Sequence, residues 1–276
     1  MMKHLVTYIF ISALAAVLAA CGDRVAETSP SAPHIFPDYA GVTVPVNIAP
    51  LNFRLDGFDG RARARLEAGA EHITVSTRDG AFRLPQRGWR RLCSAAVAAG
   101  GDISVTVEAR DGDGVWRRYA PFVIRVSEDE IDPYMVYRLI EPGYETWGEM
   151  GIYQRCLETF REEPVIETSS AGYGCVNCHT FRSQDPDMML FHMRQTHAGT
   201  MLLREGRIER LNTATDSTIS STVYPSWHPS GRYIAFSVNA TKLITLPDES
   251  DRVEVFDSAS DVVVYDTERH ELYSVP

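Results

Sequence analysis

The chain has 276 residues and a formal net charge of -10 at pH 7, with 27 basic against 37 acidic side chains. This excess of negative charge argues against nucleic-acid binding as a main role. Beyond the N-terminal segment, the length is sufficient for two small domains.

The N-terminus has the pattern of a bacterial export signal. A short positive start ends at His4, an apolar run follows over residues 5–20, and Cys21 comes directly after small residues. The run is too short for a comfortable membrane span. Leu-Ala-Ala-Cys at residues 18–21 resembles the lipobox of lipoproteins, in which cleavage leaves a lipid-carrying cysteine at the N-terminus. We therefore expect residues 1–20 to be a lipoprotein signal peptide and Cys21 to be lipidated, the alternative being an ordinary signal with a chance cysteine.

Such an anchor predicts a location in the bacterial cell envelope. Gly22 stands where lipoproteins retained at the inner membrane often have aspartate, which favours the outer membrane, facing the periplasm. No second apolar span appears in the sequence, so attachment is expected to rest on the lipid. Residues 21–37 are rich in Ser, Pro, Ala and Thr and predict a flexible tether.

Residues 38–130 have the alternating pattern of a β-sandwich-like domain. Residues 73–77 and 81–84 flank Asp79-Gly80, and residues 103–107 and 115–119 flank a second acidic turn. Asp-Gly favours a hairpin because both central residues tolerate a positive φ, so two hairpins are predicted. The second turn could also begin a calcium loop, but Phe122 stands where such a loop needs its last carboxylate.

Residues 131–200 are interpreted as an aromatic linker followed by a short helical c-type haem segment. Tyrosine and tryptophan are dense over residues 132–167, where core packing is the default, and residues 146–162 are expected to be partly helical. Cys175-Val176-Asn177-Cys178-His179 then follows. Two thiols at this spacing can bond covalently to the vinyl groups at one haem edge, and the adjacent His179 becomes the proximal iron ligand. We therefore predict one covalent haem c.

Other uses of the motif remain open. A thioredoxin-like dithiol would need a βαβ context, which the Gly-Tyr-Gly run before Cys175 does not provide. A zinc site would need further ligands, for which His192 and His197 are the local candidates. The remaining cysteines, Cys93 and Cys156, either pair in an oxidising compartment or stay as buried thiols.

The second iron ligand is expected close by. Asp185 and Pro186 have the pattern of a helix start, and a helix over residues 185–197 would place histidines and methionines on its faces. His192 is the favoured distal ligand, followed by His197, with Met193 less favoured and packing against the haem as the alternative for the methionines. A histidine ligand would give a low potential and a methionine a higher one.

The C-terminal part returns to a β pattern. Trp-His-Pro-Ser-Gly-Arg-Tyr-Ile-Ala-Phe at residues 227–236 and Asp-Val-Val-Val-Tyr at 261–265 resemble the repeat of TolB-like β-propellers. Residues 201–276 are therefore expected to be an incomplete TolB-like propeller, since a closed one needs about 4 to 8 blades. Either the chain is a fragment of a longer propeller protein, or a partner supplies the missing surface.

Taken whole, the chain resembles envelope proteins that combine an N-terminal β domain, a single c-type haem motif and a TolB-like (WD40-like) propeller. The likeness rests on Gly-Ile-Tyr-Gln-Arg at residues 151–155, Cys-Val-Asn-Cys-His-Thr-Phe at 175–181 and Met-Leu-Phe-His at 189–192. It implies a mainly β architecture. We expect an electron-transfer protein that serves a redox partner and is not a stand-alone enzyme; the alternative is a propeller-type scaffold that binds an envelope protein, with a structural or sensory haem.

Overall fold

The computed structural model describes residues 25–58, 60–110, 112, 114–140, 150–245 and 253–275. These residues are mainly β and form two compact units. The first unit contains residues 25–134 and 156–160, and the second contains most of the remainder. The predicted signal peptide and Cys21 lie outside the described residues. Within them, no helix is long and apolar enough to cross a membrane.

The first unit is built from two sheets and a helix. Its strands are β1 (Val25–Thr28), β2 (Ile35–Phe36), β3 (Thr43–Pro45), β4 (Phe53–Leu55), β5 (Arg61–Ala68), β6 (Glu71–Thr77), β7 (Ala81–Phe82), β8 (Asp102–Arg110), β9 (Trp116–Arg118) and β10 (Phe122–Ser127). The larger sheet has the order β1-β9-β8-β10-β3, with β5 joined to β8 and β6 to β5. The smaller sheet has the order β2-β4-β7. Helix α1 (Gln86–Ala98) lies between β7 and β8 in the chain.

The core of this unit follows from alternation in the strands. In β5, Ala62, Ala64 and Leu66 are fully buried while the intervening arginines point to the other face. Helix α1 and the smaller sheet cover the apolar face, and Trp89 and Leu92 of α1 are completely buried there. The unit is therefore a sheet covered by a helix and a small second sheet.

Several predictions for this unit are corrected by the structure. The prediction of a hairpin around Asp79-Gly80 is wrong, because the strands on either side of this turn do not pair with each other. Strand β6 pairs with β5, whereas β7 pairs with β4. The hairpin of β8 and β9 is confirmed. Residues 25–37 were expected in a flexible tether, but β1 pairs with β9 and β2 with β4. Helix α1 was not predicted at all.

The second unit contains three sheets. Its strands are β11 (Tyr134–Leu139), β12 (Gly151–Cys156), β13 (Glu162–Glu167), β14 (Val176–Phe181), β15 (Met188–Met193), β16 (Gly199–Arg204), β17 (Arg207–Leu211), β18 (Thr222–Trp227), β19 (Tyr233–Thr245), β20 (Val253–Asp266) and β21 (Glu271–Ser274). The sheets are β11-β12-β13, β14-β15-β16-β17 and β18-β19-β20-β21, each in sequence order. The two four-stranded sheets are antiparallel throughout. No described sheet closes on itself, so the structure is β-rich without a closed propeller.

The sheet that begins with β14 is buried on both faces. One face, which includes Leu190 and Leu202, packs on Ile234 and Phe236 of the last sheet. The opposite face shares a core with Ile152 of β12. Because both faces of the sheet are buried, apolar residues follow one another along β15 without alternating with polar ones.

The predicted helices of this region are therefore wrong. Residues 188–193 form β15, and residues 176–179 of the predicted haem motif lie on β14, with Cys175 directly before it. Residues 150–162 hold β12 and the start of β13, not a helix. The expected domain boundary at residue 201 falls inside β16, so the motif and the first part of the expected propeller share one sheet.

Candidate functional site

The site begins with a bulge in the edge strand β14. Asn177 pairs with His192 and Thr180 with Leu190, so Cys178 and His179 together face a single residue of β15. Cys178 adopts a φ of 54°, a conformation that favours glycine. Because a bulge bends its strand and changes where side chains point, it takes the second thiol and the imidazole out of the regular alternation.

A tight loop fixes the first thiol. The backbone N–H of Arg194 donates to the Cys175 carbonyl at 3.0 Å. A Cβ on Gly174 would lie 2.3 Å from the Arg194 carbonyl oxygen, so only glycine fits there. Gly172, with a φ of 65°, turns the chain two residues earlier. The segment that precedes Cys175 is thus tied to the segment that leaves β15.

The two thiols and the imidazole are partly accessible. Cys175, Cys178 and His179 are each half-buried, and both cysteines are free. Burial raises the pKa of the Cys175 thiol, which keeps it protonated. Burial also lowers the pKa of His179, whose Nε2 lies 3.4 Å from the carbonyl oxygen of Val136 on β11. The imidazole is therefore kept neutral, the form that can ligate a metal.

The surroundings of the motif combine apolar and basic groups. Met135 and Leu139 of β11 and Tyr173 are exposed by 46%, 42% and 67%. Arg138 donates from Nη1 to Oδ1 of Asn177 at 2.6 Å. A haem needs thiols, an imidazole, apolar contacts and cations for its carboxylates, and the motif segment supplies the thiols and the imidazole, with Tyr173 and Arg138 beside it. The donor set therefore fits the group predicted from the sequence.

His192, the favoured distal candidate, is held away from this side. It is 5% exposed, and its ring packs 5.9 Å from that of Phe236 on the last sheet. Its Nδ1 is hydrogen-bonded with the Thr200 hydroxyl at 2.9 Å. His179 instead lies beside Val136 and Phe181, which belong to the opposite core. The structure thus separates His179 and His192 by the thickness of a sheet.

The other two candidates lie closer to the motif. Met193 is half-buried, pairs with Val176 and packs in the core on the His179 side. His197 ends a single 3-10 turn, is exposed, and would contact a Cβ placed on Gly172 at 3.4 Å. Met193 and His197 thus each lie beside a residue of the segment that carries the motif, Val176 and Gly172 respectively.

The zinc-site alternative would need a cluster of metal ligands among the described residues. Across the described ranges, no three His, Cys, Asp or Glu side chains are arranged to hold a metal ion. His192 is buried on one face of its sheet, whereas His197 is exposed at the end of a turn. The two proposed zinc ligands are therefore not brought together with the cysteines.

The remaining described cysteines are unpaired. Cys93 is fully buried in α1, where burial raises the pKa of its thiol to about 12. Cys156 ends β12 and is half-buried. The structure therefore shows the free-thiol alternative and not the disulfide.

Sequence reasoning missed a buried polar network beside His192. The hydroxyl of Thr200 lies 3.2 Å from that of Thr213 and 3.0 Å from that of Thr222. The imidazole Nε2 of His192 is buried without a hydrogen-bond partner. The three threonines lie on β16, after β17 and on β18, so no sequence pattern reports this network.

The chain was compared with protein families, curated protein sequences and solved structures. No protein-family profile and no curated protein sequence matches the chain. Among solved structures, the chain is similar to an "Oligogalacturonate lyase in complex with manganese", with a TM-score of 0.31 and 11% sequence identity. The match covers 63% of this chain and 38% of that chain. The chain thus matches well under half of the lyase's length.

Proposed function

We propose that this protein is a membrane-anchored, monohaem c-type cytochrome-like protein that transfers electrons in the bacterial envelope. The observation that supports this most is that Cys178 and His179 share a half-buried bulge of β14, while the half-buried Cys175 stands directly before that strand. A c-type haem, when bound, supplies a one-electron iron couple. The residues of the chain would hold the haem and determine its environment, and electron transfer requires no catalytic acid, base or nucleophile from them.

In this proposal the residues of the bulge attach the haem. Cys175 and Cys178 would hold the haem through thioether bonds to its two vinyl groups, with the hydrogen of each thiol passing to the vinyl group that it joins. His179 would ligate the iron, and burial lowers the pKa of its imidazole, which favours the neutral form that a metal ligand needs.

We also propose that the two four-stranded sheets are TolB-like propeller blades. Both are up-and-down antiparallel sheets of consecutive strands, the arrangement of a blade, and they pack face to face through one apolar core. On this assignment the haem motif lies on the first strand of a blade. The alternative function, a scaffold that binds an envelope protein, is favoured by the same observation, since propellers commonly offer binding surfaces.

For the location, the proposal places the protein at the outer membrane, facing the periplasm, with Cys21 lipidated. The support is the sequence pattern at residues 18–21. Metabolic labelling with a radioactive fatty acid should mark the wild type and leave Cys21→Ser unlabelled. Label retained by that variant would contradict the anchor.

The haem is tested by expression in a host with the c-type maturation system. The wild type should keep haem through denaturation and acidic acetone extraction, and should give a pyridine haemochrome typical of thioether-linked haem. Cys175→Ser and Cys178→Ser should each lose one covalent link, whereas the matched control Cys156→Ser should behave as the wild type. A colourless wild-type protein from such a host would refute the proposal.

The distal ligand is tested by spectra of three variants. His197→Ala or Met193→Ala should change the spin state of the iron, while His192→Ala should leave the spectrum unchanged, because His192 lies on the other face of its sheet. Electron transfer and scaffolding are separated by stopped-flow reduction. A haem that no small reductant reduces would favour the scaffold.

A further inference from the structure

The second candidate site lies in the first unit, on the sheet face turned away from α1. A cavity of about 580 Å³ opens there, lined chiefly by Arg63, Arg65, Thr74, Thr106 and Arg118. A smaller cavity of about 300 Å³ adjoins it and shares Arg63. Volumes of this size are typical of small-molecule sites in proteins.

The strand register arranges this face as two rows of polar side chains. Thr74, Arg65 and Thr106 are direct neighbours across β6, β5 and β8. The second row runs from Ser76 through Arg63, Glu108 and Arg118, across β6, β5, β8 and β9. Rows two residues apart along a strand are separated by about 6.8 Å. The first row thus sets one arginine between two threonines, and the second sets the Glu108 carboxylate between two arginines.

A buried carboxylate fixes the cations of the second row. Glu108 is 7% exposed and accepts hydrogen bonds from Arg63 and, at 2.7 Å and 2.6 Å, from Nε and Nη2 of Arg118. Burial acts to raise the pKa of Glu108, but the two guanidinium groups hold it below its usual range. A guanidinium carries more N–H donors than one carboxylate can accept, so Arg118 has donors left for another acceptor at the cavity.

A buried tryptophan gives an independent sign that a polar ligand belongs here. Trp116 is 7% exposed, lines the smaller cavity, and has the Arg63 guanidinium 4.9 Å above its ring. Its Nε1 is buried without a hydrogen-bond partner. Buried polar atoms are rarely left unpaired, and this one belongs to a residue that lines the smaller cavity beside Arg63.

We propose that this face binds a carboxylate-bearing oligosaccharide. The guanidinium groups of Arg65 and Arg118 bind the carboxylate of a sugar acid, while Glu67 and the threonine hydroxyls bond with its ring hydroxyls. Tyr119 and Pro121 at the rim offer apolar contact to the ring C–H groups. The site is separate from the haem motif and extends beyond the electron-transfer proposal.

The lining favours a sugar acid over other anions. A polyphosphate chain or an anionic lipid surface would bring only acceptors to the cavity, and would be repelled by the Glu67 carboxylate. A sugar acid brings hydroxyl donors for that same group.

The test is a calorimetric titration of the full chain with a mannuronate tetrasaccharide, with mannotetraose as the uncharged probe. Saturable binding is expected for the mannuronate alone, with an affinity that falls as NaCl is raised. Arg65→Gln should weaken it by about tenfold, since one charge-assisted hydrogen bond is removed. The matched control Arg91→Gln removes the same charge from α1, on the other side of the sheet, and should bind as the wild type.

A second measurement uses the buried indole. Mannuronate binding should shift the wild-type tryptophan emission, and Trp116→Phe should abolish that shift while remaining folded by circular dichroism. The proposal is overturned if mannotetraose binds equally well, or if Arg65→Gln and Arg91→Gln are alike. It is also overturned if phosphatidylglycerol vesicles bind the protein and mannuronate gives no saturable heat.

Discussion

The buried imidazole of His192 should make the stability of the second unit depend on pH. Burial, aided by the nearby charge of Arg194, lowers the pKa of His192 to about 4, from 6.5 in an unfolded chain. Between these values the unfolded chain takes up a proton that the folded chain does not. The free energy of unfolding should therefore fall as pH falls from about 6.5 to 4.

The magnitude follows from the size of the shift. At about 1.4 kcal/mol for each pH unit, roughly 3 kcal/mol of stability is at stake over the full interval. The side chain is 5% exposed, so solvent screens little of this effect. The Thr200 hydroxyl keeps partners in Thr213 and Thr222 when the imidazole is removed, so His192→Gln leaves that group bonded.

The assay is urea unfolding of haem-free full-length protein at several pH values from 7 to 4.5. The wild type should lose about 2–3 kcal/mol more than His192→Gln over this range. His228→Gln serves as the control because it removes an exposed imidazole. Equal pH slopes for wild type and His192→Gln would refute the reasoning, whatever the stability of either protein at pH 7.

Three further variants test packing and charge. Leu92→Ala, which empties a fully buried position in α1, should cost about 2–5 kcal/mol in urea unfolding. Gly174→Ala should cost about 1–3 kcal/mol because its Cβ meets the Arg194 carbonyl, and unchanged stability would contradict the described loop. The Arg232 guanidinium holds the pKa of Asp266 at about 2, so this carboxylate stabilises the fold above the pKa of an unfolded aspartate and loses that effect as pH falls toward 2. Asp266→Asn should therefore lower the Tm at pH 7 in calorimetry, with the difference from wild type vanishing near pH 2.

The strands that sequence alone could predict are those with one buried face. The hairpin of β8 and β9 is of this kind, since apolar and polar residues alternate along β8 and a turn rich in Asp and Gly follows. The turn at Asp79-Gly80 has the same residues, and Gly80 does adopt a positive φ of 72°. Its flanking strands nevertheless pair with other partners, because local turn chemistry does not decide which strand edge is nearest.

Two errors about helices have separate physical causes. The run over residues 188–193 is buried on both faces of its sheet, which removes the alternation that identifies a strand. Helix α1 was missed although Trp89, Leu92, Cys93 and Ala96 have helical spacing after Pro85. This helical spacing of apolar residues is visible in the sequence, so the helix is predictable from it.

Some features of the candidate sites are local in sequence, and others depend on how the strands pair. The Cys-x-x-Cys-His spacing of Cys175, Cys178 and His179 is a local sequence pattern, so the haem prediction did not depend on knowing the fold. His192 lies on β15 and His197 in a 3-10 turn after it, and these positions could not be predicted because the sequence pattern indicated one continuous helix there. The cavity at Arg65 depends on pairing between four strands, and no local pattern reports such pairing.

The position of β14 at the edge of its sheet has a consequence for the timing of thiol chemistry. An edge strand is hydrogen-bonded to one neighbour only, here β15, so it can detach without unfolding the strands behind it. Amide hydrogens of β14 should therefore exchange with solvent faster than those of β15 and β16. Brief local opening of this kind would expose Cys178 and the start of β14 to solvent after the chain has folded, so on the proposed function a haem could still be attached at that stage.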